Sequence, residues 1–250
     1  MIEKYKFNVN AATKTAGWTP LTTAIDLGNV HLAQRLIQRH KASAGNRMTL
    51  LRAACRGFRL RSDTLSFVVE ELQVNINAVD DDGNTLFHAA PFYFPEAKWL
   101  ILLETLLALG YNFRAVNNAN ETTLHSMISN FRLYFFRDKT LPRVIAFLVG
   151  RVRMDINGQD HEGRTALHLG VKAIVQDEYF DEEARNGLLG MTRALLDHGA
   201  DRTLRDRRGR TAHDYLLDYP SKDRDLNFHE AREAMSEIFR TYSTVPVDLR

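Results

Sequence analysis

Asp160 to Gly170 reads DHEGRTALHLG, which puts two glycines, a small hydroxyl and two histidines within eleven residues. Such a set could form a phosphate loop, half of a metal site, or the punctuation of a helix start. Other groups able to do chemistry are scattered. His229-Glu230-Ala231-Arg232-Glu233 superficially resembles a zinc-peptidase helix, but the second histidine one turn on is missing, so no zinc clamp can form. It reads as an exposed helix face. GLLGM from Gly187 lacks the lysine and the preceding strand of a phosphate loop and reads as a loop. Cys55 follows Ala53 and Ala54, where small core residues are expected, and reads as inert. His168, His198 and the acidic run from Asp177 to Glu183 (DEYFDEE) are the remaining acid–base groups.

Composition narrows the choices. At 250 residues the chain can bury a sizeable core, and 44% apolar with 26% charged residues is ordinary for a globular protein. A net charge of +2 with nine histidines is too weak a bias to argue for nucleic acid. One cysteine allows no internal disulfide and no four-thiolate zinc site. The start, MIEKYKFNVNAATK, has no apolar stretch of signal-peptide type, so the Asn120-Glu121-Thr122 sequon carries no meaning here. WLILLETLLALG from Trp99 is broken by Glu104 and is too short to span a bilayer. A protein of the cytoplasm, or of the nucleus, without membrane insertion is expected.

The motif recurs, and recurrence decides how to read it. DDDGNTLFHAA begins at Asp80, NNANETTLHSM at Asn117 and DRRGRTAHDYL at Asp206, with weaker copies TKTAGWTPLTTA at Thr13 and NRMTLLRAAC at Asn46. A second motif precedes most copies: QVNINAVD at Gln73, GYNFRAVN at Gly110, RMDINGQD at Arg153 and GADRTLRD at Gly199. From the second motif to the next threonine the interval is 12 residues in all four cases, ending at Thr85, Thr122, Thr165 and Thr211. A fixed interval carrying Asp-x-x-Gly or Asn-x-x-Asn suits a β-hairpin finger, with Gly83, Gly163, Gly209 and Asn120 taking a positive φ. The interval from His40 to Thr49 is 9, so the second finger reads as stunted.

The interleaved motifs resemble the ankyrin repeat over roughly residues 6–219. The resemblance implies an all-α fold: an ankyrin-type solenoid of about six helix-turn-helix repeats with short β-hairpin fingers. One domain, 1–250, would hold a truncated first hairpin (1–18), the repeats (19–219) and a C-terminal capping helix (225–243). The truncated start fits a vestigial repeat or a longer parent chain. From threonine to the end of the second helix the length grows from 21 to 24, 25, 31 and 34, so the added residues fall in the helical half. In this frame Thr165 caps the inner helix, and His168, one turn in, bonds the threonine hydroxyl or a hairpin carbonyl, as do His88 and His125. The opening stretch is then scaffolding. Thr19-Pro20 makes the same helix start. Arg52 stands in for the histidine in the second copy, and His213-Asp214 is shifted in the last.

Aromatics crowd the lengthened helical segments: Phe92, Tyr93, Phe94 and Trp99, then Phe131, Tyr134, Phe135 and Phe136, then Tyr179 and Phe180. They serve either extra core packing or a groove wall. Finger charge also varies, from Asp80-Asp81-Asp82 through Asn117, Asn118 and Asn120 to the arginines 202, 205, 207, 208 and 210.

The family resemblance implies a protein–protein interaction module without catalysis or cofactor, binding another protein or peptide and no nucleic acid. Its contact positions would be Trp18, Asp26, Leu27 and Arg56 in the first two repeats. In the third they are Asp81, Asp82, Asn84, Phe92 and Tyr93, and in the fourth Asn118, Glu121, Ser129 and Asn130. The fifth gives His161, Glu162, Arg164 and Lys172, the sixth Arg207, Arg208, Arg210 and Tyr219. Phe92 and Tyr93 are the expected anchors. The alternative is a divergent small-molecule-binding protein or enzyme using a pocket formed by the extended helices of repeats three to five.

Overall fold

The computed structural model describes residues 8–14, 17–58, 61–89, 96–129, 140–176, 182–218 and 226–243. Within them the chain is helical, and the helices come in pairs that follow the motif copies. The first copy leads into α1 (Pro20–Asp26) and α2 (Val30–His40), the second into α3 (Arg47–Phe58) and α4 (Asp63–Ser66). The third leads into α5 (Leu86–Ala89) and α6 (Glu96–Ala108), the fourth into α7 (Thr123–Ser129) and α8 (Thr140–Ala146). After the fifth come α9 (Ala166–Gln176) and α10 (Glu182–Asp197), and after the sixth α11 (Asp214–Asp218) and α12 (Leu226–Ser243). One π-helical turn extends α4 (Phe67–Glu71) and another extends α8 (Phe147–Arg151). No helix among the described residues is long and apolar enough to cross a membrane.

Local chemistry sets these boundaries. Thr19 and Thr22 cap α1 reciprocally: the Thr22 hydroxyl accepts the Thr19 N–H (2.7 Å) and the Thr19 hydroxyl accepts the Thr22 N–H (3.2 Å). Pro20 then sits where a missing N–H costs nothing. At the far end of the second helix, a left-handed residue recurs: Lys41, Gln73, Gly110, Arg153 and Gly199 have φ between 53° and 88°. The next residue's N–H returns to a carbonyl five or six places back, as from Val74 to Val68 or from Ala200 to Leu195, closing the helix.

The chain divides into two compact units, Met1–Asn112 and Phe113–Arg250. In the first, α1 packs on α2 and α3, and α3 on α4, burying Leu21, Ile25, Leu50, Leu51 and Phe58. Trp99 and Phe87 meet at 6.3 Å between ring centroids, and both are core. Among the aromatics offered as a groove wall, Trp99 is thus a packing residue. In the second unit α9 is central: α7 and α11 flank it in one layer, while α10 packs on it and on α8. In α12 Met235, Ile238 and Phe239 are buried, and the helix packs on α9 and α10.

The β-hairpin fingers are a correction. Among the described residues there is no strand, and the single isolated bridge joins Val116 and Thr122. Each tip is a tight reversal closed by two main-chain bonds, such as Asp80 N–H to the Asn84 carbonyl (3.1 Å) and Gly83 N–H to the Asp80 carbonyl (3.0 Å). In the second unit the outer turn residues bond to the neighbouring tip, and among the described residues pairing across a finger goes no further than the Val116–Thr122 bridge, so no ladder grows. The inserted residues, including Phe92, Tyr93, Phe94, Phe131, Tyr134, Phe135, Phe136, Tyr179 and Phe180, lie outside the described residues.

Candidate functional site

Four tips share one design. The first residue's Oδ1 accepts the N–H groups two and four places on: Asp80 from Asp82 and Asn84 (3.1 and 2.9 Å), Asn117 from Ala119 and Glu121 (3.0 and 2.9 Å). Asp160 accepts from Glu162 and Arg164 (2.8 and 2.9 Å), and Asp206 from Arg208 and Arg210 (2.9 Å each). This side-chain turn needs Asp or Asn, which explains why those types recur. The fourth residue takes the positive φ that the sequence spacing predicts: Gly83 (74°), Asn120 (59°), Gly163 (75°) and Gly209 (76°).

Behind each tip sits the threonine–histidine clamp. Nδ1 of His88, His125 and His168 accepts the N–H of Thr85, Thr122 and Thr165 at 3.3, 3.2 and 3.1 Å. An accepting Nδ1 leaves the proton on Nε2, which donates onward: from His125 to the Arg164 carbonyl (2.8 Å) and from His168 to the Arg210 carbonyl (3.1 Å). These two imidazoles therefore read the base of the next tip. In the last copy Asp214 takes the role, its Oδ2 accepting the Thr211 N–H (2.8 Å), and in the first Thr22 does.

A third set of links comes from the second motif. The Asn77 amide accepts from Asn112 N–H (2.7 Å) and donates to the Gly110 carbonyl (2.9 Å). Asn157 accepts from Asp201 N–H (2.7 Å), and Asn10 from Ser43 N–H (2.8 Å). Arg114 occupies the equivalent place in the fourth copy and donates to the Val152 carbonyl through Nε and Nη2 (3.0 and 2.8 Å). Consecutive tips of the second unit are bonded directly, His161 N–H to the Ala119 carbonyl and Arg207 N–H to the Glu162 carbonyl, both 2.9 Å.

The contact positions inferred from sequence separate into two kinds. Asp81, Asp82, Asn118, His161, Glu162, Arg207 and Arg208 are exposed at the outer turn of their tips, and Ser129 is exposed at the end of α7. Asn84, Glu121, Arg164 and Arg210 instead turn inward and brace the turn. Asn84 donates to Asp80 (3.3 Å), and Asn117 to Glu121 (2.8 Å). Arg164 pairs with Asp160 at 2.7 Å, Arg210 with Asp206 at 2.9 Å, and the Arg210 guanidinium lies 4.1 Å from the Tyr215 ring centroid. Lys172 is half-buried on α9. Trp18, Asp26 and Arg56 are brought together: Arg56 stacks 5.2 Å from the Trp18 centroid and its Nε lies 2.9 Å from Asp26 Oδ1. That pair is a charge contact rather than an aligned hydrogen bond, since Asp26 Oδ1 has no hydrogen-bond partner. Leu27 beside it is 60% exposed. Phe92, Tyr93, Asn130 and Tyr219 lie outside the described residues.

Electrostatics favour scaffolding at the buried groups. Burial pushes the His125 and His168 pKa values down, outweighing the carbonyl bonds that favour the charged ring, so both stay neutral. Cys55, fully buried, has its thiol pushed up by burial and is inert as a nucleophile. Tyr111, whose hydroxyl lies 2.6 Å from Thr85 Oγ1, is pushed up to about 12 by burial. No group of three metal-ligating side chains occurs among the described residues.

The depressed histidines predict a pH dependence. Unfolded, each ring binds its proton near pH 6.5, but folded only at lower pH. Between those values the unfolded chain holds more protons, so stability falls as pH drops below about 6.5, by up to ~1.4 kcal/mol per pH unit for each histidine. Thermal unfolding followed from neutral to mildly acidic pH should show this loss in the parent chain. His125→Gln/His168→Gln should be flatter, and equal slopes would contradict the assignment.

The clefts formed by described residues include two of ligand size. One of about 590 Å³ lies between Asn46–Met48 and Asn75–Asp81 in the first unit. The other, about 670 Å³, lies between the last tip and α12 in the second. Neither is the pocket expected among the extended helices, whose inserted residues lie outside the described ones. No protein-family model matches the chain. A stretch of 94 residues, 38% of the chain, is 32% identical to alpha-latroinsectotoxin-Lt1a of Latrodectus tredecimguttatus, and the match spans 6% of that protein's length.

Proposed function

We propose that the chain is an ankyrin-type solenoid acting as a protein–protein interaction module, with its outer tip residues as the recognition surface. One observation carries the reading. On a constant turn, the two outermost positions are always exposed and always different: Asp81-Asp82, Asn118-Ala119, His161-Glu162 and Arg207-Arg208. The residues that hold the frame repeat, whereas those facing solvent vary, as expected where surface residues choose the partner and buried ones only present them. In the second unit the main-chain bonds between tips set the Asn118, His161-Glu162 and Arg207-Arg208 positions side by side, one neutral, one acidic and one basic. The Trp18–Arg56–Leu27 cluster adds an exposed aliphatic group and a stacked aromatic of the types that anchor interfaces.

An adaptor, scaffold or inhibitor role follows from this reading, in the cytoplasm or nucleus. The test is quantitative capture from native lysate by the parent chain and by Asp81→Ser/Asp82→Ser/Arg207→Ser/Arg208→Ser. Unchanged circular dichroism, with loss of the proteins retained by the parent, is the expected outcome. The same proteins at the same yield would contradict tip recognition.

A further inference from the structure

The cleft between the last tip and α12 has a lining that recognition by tip residues does not require. Arg202, Arg205 and Arg240 line it together with Thr211, His213 and Phe239, and among the described residues no carboxylate does. Phe239 is buried, and the His213 ring stands nearly edge-on to it at 5.2 Å, giving the cleft an apolar wall. The arginines are not equally committed. Arg205 donates to the Gly209 carbonyl (2.5 Å) and lies 3.8 Å from Asp214, while Arg240 pairs with Glu237. Arg202 differs: its Nη1 is buried without any hydrogen-bond partner. A guanidinium nitrogen withdrawn from water and left unpaired is costly, more so than a neutral donor in the same place. Groups of this kind are normally satisfied by an anion, and a guanidinium fork matches the oxygens of phosphate. Thr211 stands at the same wall, its Oγ1 accepting the Asp214 N–H (3.3 Å) and its hydroxyl bonded to the Asp214 carboxylate. The volume falls within the roughly 300–1,000 Å³ of small-molecule sites, which leaves room for an organic body beside the phosphate.

We propose that this cleft binds a phosphate group, with Arg202 as its principal ligand and Arg205, Arg240 and Thr211 around it. The site is separate from the outer turn positions, so it stands or falls independently of tip recognition.

Calorimetric titration of the full chain at constant ionic strength tests it, using inorganic phosphate, adenosine 5′-monophosphate and adenosine as probes. Both phosphates should bind and adenosine should not. Tighter binding of the monophosphate assigns the apolar wall to an organic body, and equal binding makes the free ion the ligand; both support a phosphate site. Arg202→Gln should weaken phosphate binding at least tenfold while leaving the unfolding temperature in chloride little changed, because the buried Nη1 that it removes has no hydrogen-bond partner to lose. Arg240→Gln, on the exposed side of α12, should weaken binding severalfold and keeps the test sound if the first variant folds poorly. Absence of phosphate binding, or binding that neither variant alters, overturns the proposal.

Discussion

Asp206→Ala is expected to cost about 3 kcal/mol in denaturant unfolding at neutral pH, and Asp206→Asn distinctly less. The carboxylate is 7% exposed and is the hub of the last tip. Its Oδ1 accepts the N–H groups of Arg208 and Arg210, and its Oδ2 accepts the Tyr215 hydroxyl (2.8 Å) and the Arg210 guanidinium (2.9 Å). Alanine leaves those donors, one of them charged, without an acceptor. Asparagine keeps Oδ1 and so keeps the turn, losing the acceptor of the Tyr215 hydroxyl and the charge contact with a half-exposed arginine, which water partly screens. The sign with pH is also fixed. Burial pushes the Asp206 carboxyl up, yet the Arg210 N–H, the Tyr215 hydroxyl and the Arg210 guanidinium together outweigh it and hold the group at about 2. A depressed folded pKa gives stability that is present above the unfolded value near 3.9 and lost as pH falls through about 2. The cost of Asp206→Ala should therefore shrink in acid, and a pH-independent cost would mean the charge contributes little.

The second large effect is Gly57→Ala, expected to destabilise by about 3 kcal/mol, at the upper end for overpacking. Gly57 is buried in α3, and a Cβ there would lie 2.1 Å from the Ile25 carbonyl oxygen and 2.9 Å from Thr64 Cγ2. Helices α1 and α3 thus meet backbone to side-chain-free backbone, and a methyl group can only push them apart. Gly190→Ala is the matched control. It lies within α10, and a Cβ there would meet nothing within 4 Å, so ordinary helix propensity should stabilise it by up to ~1 kcal/mol. Opposite signs for two glycine-to-alanine changes in helices are the expected result of chemical denaturation. Matching signs would contradict the close crossing.

Much of the frame was legible because it depends on residue type at fixed spacing. Thr85, Thr122 and Thr165 each sit three residues before a histidine, and that spacing alone predicts the clamp the structure contains. The substitution of Asp214 for histidine was half visible, as a shifted His213-Asp214 pair. The bracing role of Arg164 and Arg210 was not: an arginine next to a tip looks like surface until its aspartate is found four residues back, at Asp160 and Asp206. The interlocking amides were missed too, although Asn10, Asn77 and Asn157 recur at one place in the second motif, and that recurrence was the available signal. The hairpin expectation failed for a physical reason: turn residues specify a reversal, but a strand ladder also needs paired flanks, and among the described residues the only such pair is the isolated Val116–Thr122 bridge.

The central claim is that repeated motifs build one clamp, in which a neutral imidazole joins its own threonine to the next tip. Long-range proton–nitrogen NMR of the imidazole rings tests this most directly. His125 and His168 should carry their proton on Nε2 with Nδ1 bare at neutral pH, and should gain a second proton only below the usual imidazole range near 6.5. A proton on Nδ1 of either ring at neutral pH, or protonation of both within or above that range, would contradict the clamp.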